Sequence, residues 1–149
     1  MICSYKVLPE CKPYSANTVY MELVHDWCFT IDGVDHWIPA GYFIDGASIP
    51  MPFWFIGTPF EPRFWAAVFP HDWDYLTHVI PRNIIDEVFR RFLISPETSS
   101  RIARIMWASV RTGGYFAWKN DRNDELLLFQ LKREIEKRPD HEKFILEAP

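Results

Sequence analysis

Two short stretches carry the side chains that could do chemistry. Ile44-Asp45-Gly46-Ala47-Ser48-Ile49-Pro50 offers an acid and a hydroxyl, and Pro70-His71-Asp72-Trp73-Asp74-Tyr75 offers a histidine beside an acid, with Asp86 farther along. Asp45, His71, Asp72 and Asp86 form a set of oxygen and nitrogen donors able to hold a divalent metal with one position left for water. Such an ion would bring the pKa of its water to around 7 and supply hydroxide for hydrolysis of an amide or a phosphoester. Nothing in the spacing names the metal. A nucleophile reading, with Ser48 activated by His71 and oriented by Asp72 or Asp86, ranks below it because no Gly-x-Ser-x-Gly elbow is present.

Each of these residues also has an ordinary architectural role. Asp45-Gly46 is a common turn pair, Ser48 can cap a short helix, and Asp72 fits the first turn of a helix restarting after Pro70. Asp86 stands four residues from both Arg82 and Arg90, so an ion pair along one helix face satisfies it. His71 could tie the turn to the helix through Asp45. Neighbouring residues on a helix point about 100° apart, which keeps His71 and Asp72 from facing one small ion on a regular backbone. A second metal set, His25 and Cys28 completed by Cys3 and Cys11, has a single tight ligand pair where zinc sites usually have two. Three cysteines without a Cys-x-x-Cys pair are read as reduced thiols rather than a disulfide framework.

The elements that must position these groups follow from periodicity. Val19, Met21, Leu23, Trp27, Phe29 and Ile31 fall on one face of a strand that His25 interrupts, and Asp32-Gly33 is a tight-turn pair. Residues 34–44 return as a second strand, with Pro39 and Gly41 marking an edge or a bulge. A proline-punctuated aromatic loop over residues 51–60 follows, and then a helical spacing from Glu61 in which Pro70 predicts a kink or a restart. Helices are predicted over about 81–94, about 96–112 with Gly113-Gly114 ending it, and about 124–137. The fold class is therefore α+β: an N-terminal antiparallel hairpin or small sheet, a packed aromatic loop and three to four helices. One domain over residues 1–138 and a polar tail over 139–149 are expected.

The chain has 149 residues, 48% apolar and 24% charged, enough for one core. Aromatic residues reach 17%, with 7 Trp and 12 Phe, which leaves rings to spare for a contact surface. A net charge of −4 argues against a nucleic-acid partner. No apolar run approaches a membrane span, and the first residues lack the order of a signal peptide, so folding in a cytoplasm is expected. The arginines at 82, 90, 91, 101, 104 and 111 are read as solvated helix faces.

The stretch Trp37-Ile38-Pro39-Ala40-Gly41-Tyr42-Phe43-Ile44-Asp45-Gly46-Ala47-Ser48-Ile49-Pro50, followed by His71-Asp72, Arg82 with Asp86, and Val110-Arg111 before Gly113, resembles an uncharacterised family of tailed-phage and prophage proteins. The likeness covers roughly residues 34–114, with Ile44 where the family usually has Thr and Pro70 where it has an apolar residue. It implies a phage or prophage origin, a place in the bacterial host cytoplasm or the virion, and no established activity. Peptidoglycan would then be a reasonable substrate for the hydrolase alternative, and an inhibitor of a host factor is a further one. The balance of these readings makes Asp45, His71, Asp72 and Asp86 mainly architectural, with Arg82 and Arg111 as structural partners. Trp54, Phe55, Phe60, Tyr115 and Trp118 are then candidate contact residues for a protein partner or a second copy, since aromatic anchors carry much interface energy.

Overall fold

The computed structural model describes residues 1–14, 20–44, 61–94, 98–120 and 125–144. Asp45, Ser48 and the aromatic loop with Trp54, Phe55 and Phe60 lie outside the described residues. Six strands precede four helices: β1 (Cys3–Tyr5), β2 (Cys11–Pro13), β3 (Met21–Leu23), β4 (Trp27–Ile31), β5 (Val34–Ile38), β6 (Phe43–Ile44), α1 (Pro62–Thr77), α2 (Arg82–Leu93), α3 (Ser100–Asn120) and α4 (Glu125–Glu136). This is the α+β order that the periodicity indicates.

The long hairpin is present, but it is broken in two. β4 pairs with β5 around Asp32-Gly33, both at positive φ (48° and 87°), which is the backbone a two-residue primed turn requires. Farther from the turn, β3 pairs with β6. Between the halves the ladder continues through Leu23 N–H to the Tyr42 carbonyl and Gly41 N–H to the Leu23 carbonyl, both 2.8 Å. The single strand expected through residue 25 is interrupted because Asp26 leaves the ladder. Its carboxylate accepts the Ala40 N–H at 2.9 Å. Opposite it, Gly41 at φ 85° provides the matching bend. β1 adds to β4 and β2 to β3, so two antiparallel three-stranded sheets result. The inward face keeps its phase across the break: Leu23, Trp27, Phe29, Ile38 and Ile44 are all buried.

The helices cover that face. Phe92 of α2 meets Tyr5 and Phe29 edge-on, and Tyr42 meets Phe69 and Trp73 of α1 in the same way. α1 runs unbroken through Pro70, where a kink or restart is expected from sequence. It opens on Pro62 at its first turn, where the missing N–H is no loss. Pro70 removes one internal hydrogen bond, yet Phe64, Val68, Phe69, Trp73 and Leu76 are buried around it. Tertiary packing outweighs the local defect. Asp72 consequently sits inside a helix rather than in a first turn.

α3 also continues past its expected end, through Gly113-Gly114. The second glycine is a place of close approach, not a stop. A Cβ there would lie 2.6 Å from the Tyr75 hydroxyl and 3.4 Å from the Arg82 guanidinium, whereas one on Gly113 meets nothing within 4 Å. At the chain's other end, Arg138 and Lys143, the latter in a 3-10 turn (His141–Lys143), both bind Asp26, with Lys143 Nζ at 2.7 Å. Phe144 is buried beside them. Burial opposes ionisation of Asp26, but these two cations and the Ala40 amide hold its carboxyl well below the usual range.

The two glycines should therefore respond oppositely. Gly113→Ala is expected to stabilise the fold by about 0.5–1 kcal/mol, the helix-propensity gain. Gly114→Ala should lower stability by about 1 kcal/mol or more, because overpacking against a hydroxyl held in place outweighs that gain. Urea unfolding of the two variants checks the pair.

Candidate functional site

α1, α2 and α3 meet around one carboxylate. Asp86, on α2, is completely buried. Its Oδ1 accepts from His71 Nε2 at 2.9 Å and from the Tyr75 hydroxyl at 3.0 Å. Its Oδ2 accepts from the Arg111 guanidinium at 3.0 Å and has Arg82 Nε 3.6 Å away. Arg82 donates to the Tyr75 oxygen at 3.1 Å and to the carbonyls of Val110 and Arg111 at 3.0 and 2.8 Å. His71 and Tyr75 stand four apart on α1, as Arg82 and Asp86 do on α2, so each helix presents two members from one face.

Electrostatics follow the geometry. Burial would lower the basicity of His71. Its ring nitrogens face Asp72, 3.7 Å away at Nδ1, and Asp86 at Nε2, and these carboxylates raise its pKa above the ordinary 6.5. Burial likewise works to raise Asp86, but His71, Arg111 and Tyr75 donate to it and leave it lowered. Burial also pushes the Tyr75 phenol up to about 12. The hub thus gathers His71 and two guanidinium groups on one carboxylate whose charge they favour.

Of the sequence candidates, the fold brings together His71, Asp72, Asp86, Arg82 and Arg111. Arg90 does not join them; with Arg91 it binds Glu87. Tyr115 is exposed, 4.6 Å from Lys119 Nζ, while Trp118 is half-buried, stacked on His78 at 4.0 Å and edge-on to Tyr75 at 5.0 Å. Cys3, Cys11 and Cys28 are free thiols, and burial pushes Cys11 up to about 12. Among the described residues no three His, Cys, Asp or Glu side chains are placed to hold a metal ion.

A family profile described as "Protein of unknown function (DUF1353)" matches residues 21–110. The chain belongs to that family. No curated protein and no solved structure matches it. In this DUF1353 chain the matched span runs from β3 to the point where Val110 accepts from Arg82, so it contains the whole hub except the Arg111 guanidinium. No helix among the described residues is long and apolar enough to cross a membrane.

Two site residues escape the sequence reading. Tyr75 is signalled only by its spacing of four from His71. Asp74 is 1% exposed; its Oδ1 accepts the Ile80 N–H at 2.7 Å, while its Oδ2 makes no hydrogen bond. Burial raises its pKa to about 7, against the pull of the Ile80 and Val79 amides and nearby His71.

Chemically, the Asp86 hub is closed. A divalent ion at contact distance from this carboxylate would have to displace the donors that already occupy both of its oxygens, with two guanidinium charges left beside it. The Asp86→Ala variant should lose about 3 kcal/mol in urea unfolding, since it removes the acceptor that His71 Nε2, the Tyr75 hydroxyl and Arg111 share. The pH profile has a definite sign. Stability linked to His71, raised in the fold, is complete below its unfolded pKa of about 6.5 and is lost as pH rises through its folded value. Stability linked to Asp86, lowered in the fold, is present above about 3.9 and is lost as pH falls through its folded value. NMR titration of the His71 ring should give a midpoint above 6.5; a midpoint below it would contradict the assigned charges.

Proposed function

We propose that this DUF1353 domain works by contact, as a structural or accessory protein of a tailed phage or prophage and in the first instance a component of the particle. The observation that carries this reading is the aromatic end of α3. Tyr115 and Phe116 are 47% and 71% exposed, with rings 5.8 Å apart. Lys119 and Arg82 approach the Tyr115 ring at 4.6 and 6.0 Å. Large rings left in water beside cations fit a protein partner that offers an apolar socket rimmed by acids. The phage setting is supported by the order of motifs from Trp37 to Gly113 that resembles phage and prophage proteins.

The hydrolase alternative finds less support. Its Asp86 is saturated by donors and cations, as the hub geometry dictates, and its Asp45 lies outside the described residues. Inhibition of a host factor would use the same contact face and differs only in who the partner is.

A photo-crosslinking residue installed at Phe116 decides among these, with one at exposed Val34 as control. In infected cells and in purified particles, the 116 position should yield one discrete protein adduct that the control does not. Phe116→Ser should remove association while shifting the melting temperature by no more than about 2 °C, as befits a surface site. An adduct to a second copy would make the contact self-assembly, and a host protein would favour the inhibitor. No position-specific adduct in either sample would overturn contact through α3.

A further inference from the structure

α3 departs from the charge balance of the rest of the chain. Over Ser100–Asn120 it has Arg101, Arg104, Arg111 and Lys119 and no acid, although the net charge of the protein is −4. Its exposed residues fall on one line. Arg101, Arg104, Ala108, Thr112, Tyr115 and Lys119 follow one another at steps of three or four, a straight seam about 27 Å long. Arg111 is committed to Asp86, while Arg101 and Arg104 make no ion pair among the described residues. The free cations therefore stand at the two ends of the seam, and small side chains fill its middle.

Gly113 is a second and independent observation. It lies in the exposed middle of the helix, not at positive φ, and a Cβ there would meet nothing within 4 Å. Glycine at such a position costs about 1 kcal/mol relative to alanine, and no contact among the described residues requires it. A bare backbone one turn before the exposed Phe116 ring is what a second helix needs for close approach.

Charge decides the occupant. A second copy of α3, in either direction, would set Arg101 and Arg104 against their own counterparts or against Lys119. A nucleic-acid strand carries phosphates along its whole length, whereas the seam holds no uncommitted cation between Arg104 and Lys119, a distance of about 22 Å. We infer that, given contact through α3 as proposed above, the occupant is an acidic helix of the partner protein, laid along the seam with acids near Arg101 and Arg104 at one end and near Lys119 at the other, and crossing closest at Gly113.

The full chain with the photo-crosslinking residue at Ala108, about 12 Å along α3 from Phe116, tests this in infected cells and purified particles. It should capture the same protein as position 116, through a helix-forming peptide of net negative charge identified by mass spectrometry. Arg101→Glu with Arg104→Glu should cut the adduct at position 116 at least tenfold, and Arg101→Lys with Arg104→Lys should keep most of it, since like charges facing each other cost far more than a change of cation. Gly113→Ala should reduce the same adduct threefold or more while the chain itself becomes more stable, a combination that a purely structural glycine would not give. Capture at 116 but not at 108, a basic or neutral adduct peptide, an adduct to a second copy or to nucleic acid, or unchanged yield in the folded Glu double variant or in Gly113→Ala would overturn the acidic helix and leave contact at Phe116 in place. No adduct at either position would overturn both.

Discussion

A fully buried negative charge governs how the helices of this protein can pack. Asp86 cannot remain ionised in the interior without partners, because desolvating an unpaired carboxylate costs several kcal/mol. Its partners come from three helices: His71 and Tyr75 from α1, Arg82 from its own α2, and Arg111 from α3. Sliding α2 by a turn, about 5.4 Å, would separate Asp86 from His71, Tyr75 and Arg111 at once, and sliding α1 or α3 would remove that helix's own donors. Apolar packing alone would tolerate such a slip at modest cost. The ionic hub therefore sets register more than it adds net stability, the use of buried polar groups best attested elsewhere. Gly114 belongs to the same constraint, since only a helix surface without a Cβ there lets α3 come close enough to reach around Tyr75.

The sheet side is organised by a different acid. Asp26 interrupts the long hairpin, takes the Ala40 amide, and receives Arg138 and Lys143 from the segment after α4. One local break in β pairing thereby creates the attachment point for the C-terminal segment. The two acids act at opposite ends of the chain's order. Asp26 joins residues far apart in sequence to the strands, and Asp86 joins the helices to one another.

The elements that sequence makes legible are those where local propensity and tertiary need agree. Asp32-Gly33 demands a primed turn wherever it sits between strands, and the α2 stripe of Ile85, Val88, Phe89 and Phe92 has one buried face. The pairing of Asp86 with an arginine one turn away is visible too, since Arg82 and Asp86 share a helix face. What is not legible are the positions where tertiary packing overrides a local signal. Pro70 and Gly113-Gly114 are breakers by their own chemistry, yet burial around α1 and the close passage at Tyr75 carry both helices through. β1 and β2 are three residues each, too short for a periodic signature, and exist because β4 and β3 offer them edges. The spread of arginines reads as solvated faces, but Arg82 and Arg111 turn inward because a buried carboxylate draws them.

The candidate site shows why residue type alone misleads about chemistry. Asp86 and Asp74 are both acids with almost no exposure, and His71 lies near each. Donors crowd Asp86 and stabilise its charge, so its oxygens have nothing left to offer a substrate, a proton or a metal. Asp74 has only backbone amides, those of Ile80 and Val79, beside its carboxyl and lies deep under a wall of rings. Burial there disfavours the charge instead of partners favouring it, which is the condition under which a carboxyl group responds to what arrives beside it. The two carboxyls therefore differ by their surroundings alone: donors govern Asp86, whereas burial governs Asp74, three residues along α1 from the histidine that pairs with Asp86.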